Sequence, residues 1–166
     1  MLKADRHKLL VEWNDTTTYP QQRTIHQLFE AQVEQSPQQV AVVYEGQQLL
    51  YAELNERANL LAHHFRSLGV GPDVRVALCA ERGLALPVGL LAVLKAGGAY
   101  VPLDASYPVD RLRNMLEDSA PAVLLTHPPQ AATAAALSAG SAVPVLDLTQ
   151  DEAWAERPET NPGREG

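Results

Sequence analysis

Five histidines, one cysteine, a Glu-Arg pair and a double glycine are the residues of this chain whose types could carry chemistry. A metal site needs ligands that converge. His63 and His64 are adjacent in a helical stretch, so their side chains project about 100° apart, and His7, His26 and His127 are isolated. Cys79 lies in an apolar run, where a small buried hydrophobe is the expected role. A phosphate cradle needs glycines at a strand-to-helix turn, so that backbone N–H groups can face the anion. Ala80-Glu81-Arg82-Gly83-Leu84 offers one glycine at such a turn. Gly97-Gly98 closes a helix and opens a strand, which is the opposite polarity. Glu81-Arg82 follows a strand, at the edge where open α/β sheets gather ligands; an ion pair capping the next helix is the competing reading. No catalytic, cofactor-binding or metal-binding residue is assigned on this pattern.

The elements that would position these residues alternate. Thr24 opens a helix with Gln27 completing a capping box, Ile25, Leu28, Phe29 and Val33 form its expected buried face, and Ser36-Pro37 ends it. Val40 to Tyr44 is a strand, and Leu49-Leu50-Tyr51 returns as a short hairpin arm. Leu54, Ala58, Leu61, Phe65 and Leu68 form one continuous helical stripe, and Gly69 stands where a left-handed C-cap belongs. Strands follow at Val74–Ala80, Ala99–Leu103, Ala122–Thr126 and Val143–Leu148. Helices are expected between them at Leu84–Lys95, after Pro108 with Leu112, Met115 and Leu116 inward, and at Gln130–Ala139. The helix 84–95 is apolar on nearly every side, so it should be buried against a sheet. The alternation predicts an α/β fold, a mainly parallel sheet flanked by helices on both faces, with strands apolar on both sides. Residues 1–23 are read as a lead-in with Trp13 as a buried anchor, 24–150 as the α/β unit, and 151–166 as a polar loop.

Composition narrows the function classes. The 166 residues carry a formal charge of −7, with 13 Lys and Arg against 20 Asp and Glu. Phosphate-backbone binding requires clustered basic residues, so a nucleic-acid partner is not expected. One cysteine excludes an internal disulfide and suits a reducing cytoplasm. The apolar run Leu84–Leu94 is far short of the ~20 residues that cross a bilayer, so no membrane partner is expected.

The segment Leu94-Lys95-Ala96-Gly97-Gly98-Ala99-Tyr100-Val101-Pro102-Leu103-Asp104 resembles the second core motif of nonribosomal peptide synthetase adenylation domains, L-K-A-G-x-A-Y-V-P-x-D. Leu49-Leu50-Tyr51-Ala52-Glu53-Leu54 resembles the first, L-[TS]-Y-x-E-L, with Leu50 in place of the usual hydroxyl residue. Trp13-Asn14-Asp15-Thr16 is similar to the linker that joins a condensation domain to an adenylation domain. Tyr107 to Leu112 and Met115 to Asp118 match the run after the second motif, and Glu81-Arg82 matches as well, with Gly83 and Ala85 where the family often has Ser and Glu.

The resemblance implies the N-terminal subdomain of an adenylate-forming enzyme. Such an enzyme joins an amino-acid carboxylate to the α-phosphate of ATP with magnesium, then loads a carrier-protein phosphopantetheine thiol. It also implies that the Pro-Lys-Gly phosphate loop, the amino-acid pocket, the ribose-binding Asp and the catalytic Lys would all lie beyond Gly166. The residues matched here, Tyr51, Glu53, Leu54 and Leu94 to Val101 with Pro102 and Asp104, are therefore expected to be structural. The segment alone is expected to be inactive and to bind no ATP or magnesium. Expected partners are the rest of the adenylation domain, the condensation and carrier domains, and an MbtH-like protein. The alternative is a non-catalytic docking module. A dinucleotide-binding domain is disfavoured by the missing glycine fingerprint.

Overall fold

A computed structural model describes residues 3–10, 12–14 and 22–163. The polar lead-in expected at residues 15–20 lies outside these, as do Leu2 and residues 164–166. A helix α1 (Lys3–Leu10) precedes a single 3-10 turn at Glu12–Asn14. Trp13 is 68 % exposed, with the Lys8 ammonium 5.9 Å above its ring. It is thus not the buried anchor expected.

The chain then builds α2 (Ile25–Gln35), the antiparallel hairpin β1 (Val40–Tyr44) and β2 (Gln47–Leu50), and α3 (Tyr51–Ser67). Alternating units follow: β3 (Arg75–Cys79), α4 (Ala85–Ala96), β4 (Ala99–Pro102), α5 (Val109–Ser119), β5 (Val123–Thr126), α6 (Ala131–Ser138) and β6 (Val145–Asp147). Four strands form one parallel sheet in the order β4-β3-β5-β6. β1 does not join it, so the first strand belongs to a separate hairpin.

Side chains alternate across the central strands and divide the core in two. Val76, Leu78, Val123 and Leu125 pack with Leu61, Phe65, Ala92 and Val93 of α3 and α4. Ala77, Cys79 and Leu124 pack on the other face with Leu112 and Leu116 of α5 and Leu137 of α6. Helices therefore cover both faces, as the alternation predicts. Burial on both sides holds for β3 and β5 only. β4 is an edge strand, with Tyr100 43 % exposed, and its apolar residues belong to a surface.

Two local readings change. Ile25 and Leu28 are exposed, while Phe29 and Val33 are half-buried. The stripe of α2 therefore meets the core through its central turns and not at its N-terminus. Tyr51 is the first residue of α3 rather than part of the hairpin arm.

Candidate functional site

The second of the two quoted motifs is divided by the fold between opposite ends of the sheet. Leu94 to Gly98 forms the last turn of α4 and its reversal. Gly97 adopts φ 93°, the left-handed geometry a glycine C-cap provides. Gly98 packs so closely against Val70 and the Val74 carbonyl that a Cβ there would force its neighbours to shift. Ala99 to Pro102 then runs as β4 to the carboxyl edge of the sheet, and Asp104 lies just beyond it. The Asp104 carboxylate accepts the Ser106 backbone N–H at 2.9 Å, and this bond holds its carboxyl below the usual range.

At the carboxyl edge lies an open groove of ≈ 1010 Å³. Tyr100, Pro102 and Asp104, Leu86 and Leu90 of α4, and Glu81, Arg82 and Tyr44 are among the residues that line it. Leu86 and Leu90 are half-buried, so part of the all-apolar helix does face outward. Glu81 accepts a hydrogen bond from the buried Gln130 side chain rather than pairing with Arg82. The Arg111 guanidinium lies 3.9 Å above the Tyr107 ring. The groove offers apolar area with charges of both signs at its rim. Cys79 is buried behind the sheet edge, and burial, with Asp104 nearby, pushes its thiol upward, away from the reactive thiolate.

At the other end, Lys95 is the unexpected residue. Its side chain is fully buried, and its ammonium pairs with Glu30 of α2 and donates to Asn161 Oδ1 at 3.1 Å. Desolvation lowers its pKa, and the Glu30 carboxylate opposes that shift. The Phe29 ring stands 5.9 Å from the ammonium and also 5.9 Å from the Tyr51 ring. The first motif thereby reaches the second through α2. Within that first motif Leu54 is buried, and Glu53 accepts the Leu50 backbone N–H at 2.9 Å. Leu50 is the N-cap of α3, so this motif keeps the acidic half of a capping box and lacks the hydroxyl half.

Glu30, Asn59, Gln130 and Asn161 were missed by sequence reasoning. One signal pointed to the first of these. A lysine in a helix apolar all round must be buried with a partner or shift toward neutrality, so an acidic residue had to face Lys95. The histidines stay apart. His63 Nε2 lies 3.0 Å from the Thr160 carbonyl, and the His64 ring stands 5.7 Å from the Trp154 ring. Among the described residues no group of three or more His, Cys, Asp or Glu could hold a metal ion. No helix among them is long and apolar enough to cross a membrane.

The AMP-binding enzyme family matches residues 29–165. The chain belongs to that family. It is 54 % identical over 125 residues to one linear gramicidin synthase protein of Brevibacillus parabrevis, which is 75 % of this chain and 2 % of that protein. To a second linear gramicidin synthase protein of the same organism it is 49 % identical over 160 residues, 96 % of this chain and 2 % of the relative. The chain thus spans about 2 % of the length of these relatives. A crystal structure of the nonribosomal peptide synthetase FmoA3 bound to alpha-methyl-L-serine-AMP superimposes with a TM-score of 0.82 at 27 % identity, over 99 % of this chain and 18 % of that one. This AMP-binding family member corresponds to the N-terminal part of a nonribosomal peptide synthetase adenylation domain.

Proposed function

We propose that this segment serves an enzyme that activates an amino acid with ATP to an aminoacyl-AMP and transfers the acyl group to a carrier-protein phosphopantetheine thiol. The match to synthetases over nearly the whole chain carries the reading. A carboxylate is a poor acyl donor until AMP is attached, and the developing phosphate charge calls for Mg²⁺, Lys and oriented N–H donors. Among the described residues no group of three or more His, Cys, Asp or Glu converges as a metal site, and the strand-to-helix turn 80–84 carries a single glycine. No step of the reaction is therefore routed through these residues. Their contribution is positional: residues 24–150 form the α/β unit, 1–23 the lead-in from a condensation domain, and 151–166 the loop leading onward. The matched motif residues hold that unit together. The enzyme works in the cytoplasm beside condensation and carrier domains.

Amino-acid-dependent exchange of pyrophosphate into ATP tests this. A protein that contains the segment together with the remainder of an adenylation domain should catalyse it. The 166-residue chain, shown folded by circular dichroism, should not, and exchange by that chain alone would overturn the positional reading. A second reading, a docking module, is favoured by the exposed Trp13. Capture of a purified condensation domain or MbtH-like protein, abolished by Trp13→Ala, would support it.

A further inference from the structure

The stretch from Trp154 to Gly163 has no strand or helix of its own, yet it lies along α3 by a series of side-chain contacts. Trp154 is buried against His64. Arg157 donates to Ser67 Oγ at 3.0 Å, and the Glu159 carbonyl accepts from Asn59 Nδ2 at 2.6 Å. The Thr160 carbonyl meets His63. Asn161 ends the series. Its Oδ1 accepts from Asn55 at 3.1 Å, from Asn59 at 3.0 Å and from the Lys95 ammonium at 3.1 Å. Of these contacts only the last involves a buried charge. It also ties the strap to α2, because Glu30 holds the same ammonium.

Core stability alone does not explain a lysine at position 95. Burying an ammonium carries a desolvation penalty that pairing must offset, and a Met of similar volume would fill the same space without that penalty. What a charged group adds is direction: it accepts only partners that bring an acceptor to one point. We propose that Lys95 is a positioning residue that acts through Asn161, fixing the strap 154–163 in one register on α3 and α4. This goes beyond the adenylation reading and does not rest on it.

Glu159-Thr160 lies inside the strap and is a cleavage point for a glutamate-specific endopeptidase, whereas Glu56 lies within α3 and reports opening of the core. In the full chain, Asn161→Ala and Lys95→Met should each speed cleavage after Glu159 about tenfold, as loss of a charge-assisted hydrogen bond implies. The double variant should be cut no faster than either single one. Asn161→Asp, which keeps an acceptor for the ammonium, should be cut at the wild-type rate. Glu56 should stay protected throughout. Wild-type cleavage rates in Asn161→Ala would overturn the proposal even if Lys95→Met did not fold. So would cleavage after Glu56 rising in step with Glu159, since Lys95 would then support the core and not the strap.

Discussion

The two faces of the parallel sheet are built on different principles. The α3–α4 face carries the larger side chains, Phe65, Leu61, Val93 and Trp154, together with two buried polar residues, Lys95 and Asn59, which the exposed strap meets from outside. The α5–α6 face is small and aliphatic, with Ala77, Cys79, Leu112, Leu124, Ala134 and Leu137. Apolar burial is roughly proportional to area and indifferent to direction, so the second face can set how tightly its helices pack without fixing their partners. Hydrogen bonds and ion pairs are directional, so the first face also decides which distant segments return to it. The sheet is held from both sides, but it is organised from one.

Truncations on the two faces give the largest effects. Phe65→Ala should cost about 3–5 kcal/mol in urea unfolding, while Leu112→Ala should fall toward the low end of the roughly 2–5 kcal/mol range for Leu→Ala. Equal losses would remove the asymmetry. Gly98→Ala comes next, at about 1–3 kcal/mol. Its Cβ would meet Val70 Cγ1 at 2.7 Å and the Val74 carbonyl oxygen at 3.1 Å, and the latter is backbone that accepts the Ala99 N–H. Leu50→Thr should act in the opposite sense. A hydroxyl at the N-cap of α3 restores the missing half of the capping box, raising the unfolding free energy by about 0.5–1 kcal/mol.

The smallest effect separates the faces by pH. Burial, with help from Arg157, lowers the His64 pKa. The unfolded chain then binds the proton more readily than the folded one. Stability from this group is present above about pH 6.5 and is lost as the pH falls below it. The slope should stay under the one-proton limit of about 1.4 kcal/mol per unit. His64→Gln should flatten the acid side of the stability curve, and Leu112→Ala should leave its shape unchanged.

What the sequence made legible follows from range. The stripe from Leu54 to Phe65, the glycine caps at Gly69 and Gly97, and the strand–helix alternation depend on neighbours within a few residues, and each has its counterpart in the fold. Leu68 belongs to the same stripe but is 40 % exposed, because it lies at the C-cap where the helix runs past its partner. Ile25 and Leu28 share a face with Phe29 by the same periodicity. Periodicity states which residues point together, however, and not how far the covering element extends. Lys95 and Asn161 are 66 residues apart, and nothing local in a polar run rich in proline distinguishes an anchored strap from a free loop. The motif residues were legible as a string well before their physical tasks were. Their spacing records two ends of one strand, which only the sheet separates.

The Asn55–Asn161 contact closes a ring of chain 106 residues in span. Thr24 and Gln27 at the start of α2 line the same ≈ 450 Å³ hollow as Pro162 and Gly163. The start of α2 and the end of the strap therefore meet at one corner. Parting α2 from the strap would therefore break the Glu30–Lys95–Asn161 series of contacts, which joins the first helix of the unit to its last segment.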